Sequence, residues 1–138
     1  MSEHAPKDLD KRPTGHLAIR TLAMPSDTNV NGDIFGGWVI SYMDLAGLSI
    51  ARKHCRLRVT TVAIDKMVFL SPVHVGDFIC CYGELIKVGR TSLTIRIETY
   101  ATDECGEPSR RVTEGVFTYV AIDEKGRPVP ISGEKCKV

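Results

Sequence analysis

The longest apolar segment of the chain surrounds a single charged residue, Asp44. Apolar side chains occupy nearly every face of a helical projection of this segment, so a helix here must be covered on nearly every side. We predict that the helix begins near Gly36 or Gly37 and ends near Cys55. Basic residues just before that end suit the negative pole of a helix dipole.

Shorter apolar stretches alternate with polar residues, which is the pattern of half-buried β-strands. One stretch precedes the helix and four follow it: His16–Met24, Arg58–Phe69, Phe78–Val88, Ser92–Thr102 and Arg110–Ile122. Turn-forming segments, mostly hairpin-like, separate the last four. This order predicts an α+β fold in which a curved antiparallel sheet of about five to six strands wraps around one long helix. We expect a partner subunit to cover the rest of that helix.

Length and composition indicate one globular domain, since 138 residues with 43% apolar and 25% charged content can form a real core. We place the domain at residues 16–130, with a flexible N-terminal tail at 1–15 and a C-terminal tail at 131–138. The N-terminal tail lacks the apolar core of a signal peptide. A formal net charge of +1 offers no electrostatic basis for binding nucleic acid.

Other features of the sequence argue against a membrane span, a metal site and disulfide bonds. The apolar segment is too short and too rich in glycine to span a membrane, which needs about 20 apolar residues. The five cysteines form no CxxC pair, and neither they nor the histidines have metal-ligand spacing. We therefore expect free thiols, a reducing cytoplasm and no metal site. No GxSxG nucleophile elbow is present.

Asp44 is the main candidate for chemistry, because burying a carboxylate requires compensating hydrogen bonds or charges. Donors such as Ser41 or Tyr42 could hold it in a purely structural network. Gly36 and Gly37 favour the chemical alternative. They lie at the predicted helix N-terminus, where amides without partners and the helix dipole can stabilise an oxyanion.

The spacing of these residues predicts a site shared by two subunits. Asp44 follows Gly37 by seven residues, which is almost two turns, so both lie on one face of the helix but about 10 Å apart along its axis. One carbonyl carbon cannot be close to both. If two helices from different subunits run antiparallel, the glycines of one face the Asp of the other.

The segment "NVNGDIFGGWVISYMDLAG" resembles the signature of the hotdog-fold acyl-CoA thioesterases, especially the bacterial YciA type. The segments "VTTVAIDKMVFLSPVHVGD" and "RVTEGVFTYVAID" are similar to that family too, and the resemblance covers Leu17 to Pro130. It implies a cytoplasmic enzyme that hydrolyses acyl-CoA to a carboxylic acid and CoA without a metal or redox cofactor. It also implies a homo-oligomer, at least a dimer, with a hexamer as a trimer of dimers.

The resemblance also implies residue roles. Asp44 matches the family's general base or nucleophile, and Gly36 and Gly37 match the oxyanion-binding turn. Asn29 matches an Asn that works with the Asp of the other domain in two-domain relatives. Many relatives carry His where this chain has Phe35, which leaves more of the chemistry to Asp44 and Asn29.

Basic residues near the helix end and near the turn at Gly89 are candidates for the CoA phosphates, since Arg suits bidentate phosphate contacts. A solvated helix end with favourable dipole placement explains the first cluster more simply. Our candidate substrate-binding set is Arg58, Thr61, Gly89, Arg90 and Ser92.

Two other functions remain possible from the sequence. A hotdog dehydratase or hydratase of acyl thioesters would pair the acid with a His, and His74 is the remaining candidate for that partner. A non-catalytic acyl-CoA binding module would bind CoA without turnover.

Overall fold

A computed structural model describes residues 12–131, and it contains one long helix and five strands. In chain order the elements are β1 (His16–Leu22), a short 3-10 helix (Pro25–Asp27), α1 (Gly36–His54), β2 (Arg58–Phe69), β3 (Phe78–Val88), β4 (Ser92–Thr102) and β5 (Pro108–Ile122). The predicted α+β class and element order are confirmed. Strand β1 ends two residues early because Ala23 N donates to Asp77 O, and β5 starts two residues early because Pro108 pairs with Thr102.

The five strands form one antiparallel sheet in the order β1-β3-β4-β5-β2. The connections β3–β4 and β4–β5 are the predicted hairpins. The segment after β2 is different, because β2 pairs with β5 at one edge of the sheet and the chain must cross to reach β3. Leu70 N donates to Val112 O and Gly76 N to Ala23 O, so the crossing segment is bonded to β5 and then to the end of β1. Strand β2 is therefore an edge strand.

Helix α1 packs on the concave face of the sheet, and its buried residues are Trp38, Val39, Met43, Ala46, Gly47, Ile50 and Ala51. Residues of β4 and β5, including Ile95, Ile97 and Phe117, meet this face and are fully buried. The sheet does not cover the whole helix, since Leu45 remains 51% exposed.

The edge strand β2 also leaves apolar side chains uncovered. Val62, Ile64, Val68 and Phe69 are each at least 40% exposed. An unpaired strand edge with exposed apolar residues is a surface that proteins cover with another chain or segment. The single chain thus has the uncovered surface that the predicted partner subunit would bury.

Four cysteines, Cys55, Cys80, Cys81 and Cys105, are free thiols, as predicted; Cys136 lies outside the described residues. Of the predicted tails, residues 1–11 and 132–138 are outside the described part of the chain. Thr14 donates to Glu84 and Glu98 through its hydroxyl, and Ile131 N donates to Arg90 O. Within residues 12–131, no helix is both long and apolar enough to cross a bilayer.

Candidate active site

Asp44 lies midway along α1, half-buried, and strands of the sheet supply its hydrogen-bond donors. Thr61 Oγ1 on β2 donates to Asp44 Oδ1 at 2.6 Å. The Tyr119 hydroxyl on β5 lies 3.1 Å from the same oxygen and 2.8 Å from the backbone oxygen of Asp44. The expected helix donors are not used. Ser41 Oγ donates to Trp38 O instead, because a serine hydroxyl reaches the carbonyl one turn back in its own helix.

The two oxygens of Asp44 have different surroundings. Both side-chain donors converge on Oδ1, whereas Oδ2 accepts no hydrogen bond from any residue within 12–131. A carboxylate fixed at one oxygen and open at the other can accept a proton at the open oxygen. No imidazole within the described range contacts Asp44.

Thr61 and Tyr119 meet at Asp44 because they are direct partners in the β2–β5 ladder. The register shifts immediately after this pair, between Thr61 and Ala63. Such a bulge changes the direction of neighbouring side chains and is frequent beside active sites. Thr61 is in our candidate substrate-binding set, and in the structure its hydroxyl donates to Asp44.

Tyr119 is a site residue that our sequence analysis missed. Burial, and after it the negative charge of Asp44, raise the Tyr119 pKa far above its usual range, so the phenol stays protonated and donates. Within β5 it is one of several buried residues that alternate with partly exposed ones. The available signal was Gly47, a glycine inside a helix, which often marks a close approach by another group.

Gly36 and Gly37 are the first two residues of α1, and both are exposed. Trp38 N donates to Phe35 O at 3.1 Å, so the first amide with a partner belongs to the third residue. Neither glycine amide donates a hydrogen bond to another residue of the described chain. These two N–H groups are available to an anion or a polarised carbonyl, as predicted for this helix end.

Asn29 lies in the exposed loop before α1, where its side chain organises the backbone. Its Oδ1 accepts the N–H of Asn31 at 2.9 Å and of Asp33 at 3.1 Å. Only the Nδ2 group remains for a water or a carbonyl. Phe35 is the N-cap residue of α1 and is 46% exposed.

The candidate CoA contacts lie at one end of the sheet. Arg58 opens β2 opposite Ile122, and Ser92 opens β4 opposite Val120, two residues earlier on β5. Gly89 N donates to Ser92 O in the β3–β4 turn, and the exposed Arg90 lies between them. Thr61 follows Arg58 by three residues, so Asp44 is about 10 Å along the strand from this basic end.

No group of three or more His, Cys, Asp or Glu side chains within residues 12–131 is arranged to hold a metal ion. The site therefore consists of one oriented carboxylate, two open helix amides about 10 Å away in the same chain, and a basic strand end.

Known proteins are similar to this chain over most of its length. The thioesterase superfamily model matches residues 31–105. The acyl-CoA thioester hydrolase YciA of Salmonella typhimurium is 48% identical over 130 residues, which cover 91% of this chain and 98% of that protein. An uncharacterized acyl-CoA thioester hydrolase of Haemophilus influenzae is 48% identical over 137 residues, covering 97% and 89% of the two chains.

Solved structures show the same relationship. HI0827, a hexameric broad specificity acyl-coenzyme A thioesterase, has a TM-score of 0.83 at 47% identity over 90% of this chain and 86% of that chain. Cj0915 of Campylobacter jejuni, a hexameric hotdog fold thioesterase, has a TM-score of 0.78 at 44% identity over 88% and 93%. The chain therefore belongs to the thioesterase superfamily, and its helix wrapped by an antiparallel sheet is the hotdog fold.

Proposed function

We propose that this protein hydrolyses acyl-CoA thioesters to a free carboxylic acid and CoA, with Asp44 as its central catalytic group. The relatives named above are described as acyl-CoA thioester hydrolases. Their similarity to this chain covers nearly its whole length. The observation that carries the proposal is the asymmetry of Asp44, with Oδ1 held by two hydroxyls and Oδ2 open.

In the proposed reaction, Asp44 Oδ2 takes a proton from water as the water oxygen attacks the thioester carbonyl carbon. The carbonyl oxygen becomes negative and is stabilised by the open amides of Gly36 and Gly37. When the intermediate collapses, the C–S bond breaks and the CoA thiolate leaves, taking a proton from the acid or from solvent. A thiolate is a good leaving group, so one base and one oxyanion site are sufficient.

Asp44 can alternatively attack the carbonyl itself and form a mixed anhydride that water then hydrolyses. A single turnover in H₂¹⁸O detects the second route when water attacks the Asp44 carboxyl carbon of the anhydride, because ¹⁸O then remains in the protein, whereas direct attack of water on the thioester leaves none there. Mass spectrometry of the peptide containing Asp44 reads the outcome.

The 10 Å separation of Asp44 from its own helix start supports a site formed by two subunits, with the glycines of one chain facing the Asp of the other. Mixed dimers test this. Asp44→Asn and Gly36→Pro subunits, each inactive alone, are unfolded and refolded together. One intact site forms in each mixed dimer, so about a quarter of wild-type activity returns if the site is shared. No recovery places both groups of a site in one chain.

We propose that the protein assembles as a hexamer, as HI0827 and Cj0915 are described, and that this hexamer is built from dimers. The exposed apolar residues of edge strand β2 and of Leu45 support a partner on that side. Sedimentation velocity measures the mass, and a monomer at micromolar concentration would contradict the proposal.

Asn29 Nδ2 would orient the attacking water or the carbonyl, and the basic end of the sheet would bind the CoA phosphates. Arg90→Ala tests the second role. It should raise KM several-fold for acyl-CoA but not for the matching acyl-pantetheine, which lacks the nucleotide. Equal effects on both substrates would remove Arg90 from phosphate binding.

We further propose that catalysis needs neither metal nor redox cofactor and takes place in the cytoplasm, where CoA thioesters occur and where free thiols persist. Activity should be unchanged after dialysis against a strong chelator.

The decisive experiment follows thiol release from a series of acyl-CoA chain lengths. Asp44→Asn should fold and assemble normally and lose at least about 10²-fold in kcat, the range expected for a positioned base. Asp65→Asn, an exposed carboxylate on β2, is the matched control and should keep wild-type activity. Near wild-type turnover in Asp44→Asn would overturn the proposal. Alkene absorbance without thiol release would instead indicate a dehydratase.

A further inference from the structure

The hydroxyl of Tyr119 contacts helix α1 at Gly47, where the missing side chain leaves a notch in the helix surface that only glycine can provide. Tyr119 is 1% exposed, and its ring stacks on Phe117 with centroids 6.4 Å apart. A Cβ atom at Gly47 would lie 2.0 Å from the Tyr119 hydroxyl oxygen and 2.7 Å from Cζ. Any side chain at residue 47 would therefore push the ring and the helix apart.

Glycine inside a helix makes the helix less stable than alanine would at the same position. At residue 47 the less stable glycine is explained by packing, because Tyr119 lies so close that no side chain fits there. Burial alone does not require this contact, since a helix with alanine at residue 47 would bury its face against an aromatic ring that has no hydroxyl. What the notch adds is a hydrogen bond between a sheet hydroxyl and the middle of the helix.

That hydrogen bond is directed at Asp44. The Tyr119 hydroxyl has one proton and two acceptors, the Asp44 backbone oxygen at 2.8 Å and Oδ1 at 3.1 Å. Thr61 Oγ1 donates to the same Oδ1 at 2.6 Å. Burial and the negative charge of Asp44 raise the Tyr119 pKa, which favours the protonated phenol as a donor.

We propose that Tyr119 is a positioning residue for the reaction, and that Gly47 is the position that admits it. Tyr119 holds the backbone and Oδ1 of Asp44 together, so that the carboxylate stays in one rotamer with Oδ2 directed toward the thioester. This inference rests on the proposed role of Asp44. It concerns geometry alone, because Tyr119 is buried between the sheet and the helix.

A carboxylate free to rotate spends less time in the productive orientation, which lowers kcat without changing substrate affinity. Tyr119→Phe keeps the ring and removes the hydroxyl. We expect kcat to fall about 10- to 100-fold, the scale of a misplaced catalytic group, while KM stays within about twofold. Tyr42→Phe on the same helix is the matched control, because the Tyr42 ring contacts Trp38 and does not bond Asp44, and it should retain wild-type kcat.

Gly47→Ala provides a second, independent variant. It should lower kcat in the same way and also lower the midpoint of thermal unfolding, because its Cβ displaces Tyr119. Adding Tyr119→Phe to Gly47→Ala should reduce kcat no further, since the contact is already broken, and should recover part of the unfolding midpoint. Losses in kcat that multiply independently would overturn the inference.

The outcomes separate this inference from the proposed function. Inactive Asp44→Asn together with folded, fully active Tyr119→Phe would overturn the positioning role alone. A rise in KM at unchanged kcat in Tyr119→Phe would make Tyr119 a substrate contact and would likewise overturn it. Activity in Asp44→Asn would remove the catalytic carboxylate itself, and with it the basis for both. Circular dichroism and sedimentation confirm that each variant is folded and assembled.

Discussion

Thr61 lies directly opposite Tyr119 in the β2–β5 ladder, and both hydroxyls converge on one oxygen of Asp44. The two donors come from neighbouring strands, while their acceptor lies on the helix. The orientation of the carboxylate therefore depends on the pairing of an edge strand with β5 and on the packing of α1 against both. A change in any of these contacts alters the site without touching the substrate.

Replacing Thr61 tests this arrangement. Thr61→Val keeps the branched shape and removes the donor, so the Asp44 carboxylate is less firmly oriented and kcat should fall about tenfold, on the scale of a misplaced catalytic group. Thr61→Ser keeps the hydroxyl and should retain most of the activity. Thr60→Val, the exposed neighbour, is the control. If Thr61→Val instead raises KM alone, Thr61 contacts substrate, as we first expected.

The Gly36 amide can be removed without breaking the helix. Proline is well tolerated at the first helical position, and Phe35 before it is already extended, with φ −87° and ψ 156°. Gly36→Pro should lower kcat about 10²-fold relative to Gly36→Ala, the scale of a lost oxyanion donor. The alanine variant is the matched control, because it places the same Cβ 3.2 Å from Phe69 and keeps the N–H. Equal rates would leave Gly37 as the donor.

Alkaline stability should depend on Cys81. Burial, partly offset by a hydrogen bond with Thr99, raises the Cys81 pKa from 9.0 to about 11. Between pH 9 and pH 11 the thiol loses its proton more readily in the unfolded chain than in the folded one. Its protonated form therefore contributes roughly 3 kcal/mol to the free energy of unfolding below pH 9, and this contribution is lost as the pH rises to 11. Denaturant unfolding at pH 8–11 measures it.

The variant Cys81→Ala should show a correspondingly flatter decline of the free energy of unfolding over that range. Cys105→Ala, which removes an exposed thiol, should follow the wild type. Parallel curves for wild type and Cys81→Ala would show that this thiol does not titrate differently in the folded protein.

Glu98 should be important for stability rather than for chemistry. It is 3% exposed and pairs with Arg96 at 3.1 Å and with the buried Arg111 at 3.2 Å. Arg111 also pairs with Glu114, so removing the Glu98 charge leaves Arg111 with one partly exposed carboxylate, and Glu98→Gln should lower the free energy of unfolding by about 2 kcal/mol.

The matched control is Glu107→Gln. Both side chains of the Glu107–Arg12 ion pair are 71% exposed, so this pair should contribute less than about 0.5 kcal/mol to the free energy of unfolding. Denaturant titration compares the two variants. Similar stabilities would show that solvent screens the Glu98 network as strongly as the exposed pair.

The sequence alone determined the class of the fold and the position of each element. Alternation along β2–β5 and the continuous apolar run of α1 are local patterns, and they depend on which faces are buried rather than on which strands pair. Asp44 stood out because a charge in an apolar helix requires compensation. The open amides of Gly36 and Gly37 followed from helix geometry, since the first amides of any helix lack partners.

Only the tertiary structure decided which groups meet. The pairing of β2 with β5 is non-local, and no spacing in the chain indicates it. It makes Thr61 a hydrogen-bond partner of Asp44, which the sequence did not indicate, and it brings the Tyr119 hydroxyl against Gly47. Alternation likewise placed Glu98 on the polar face of β4, and only packing shows that its ion pairs bury it. Contacts between distant residues depend on strand order and register, which short-range patterns do not encode.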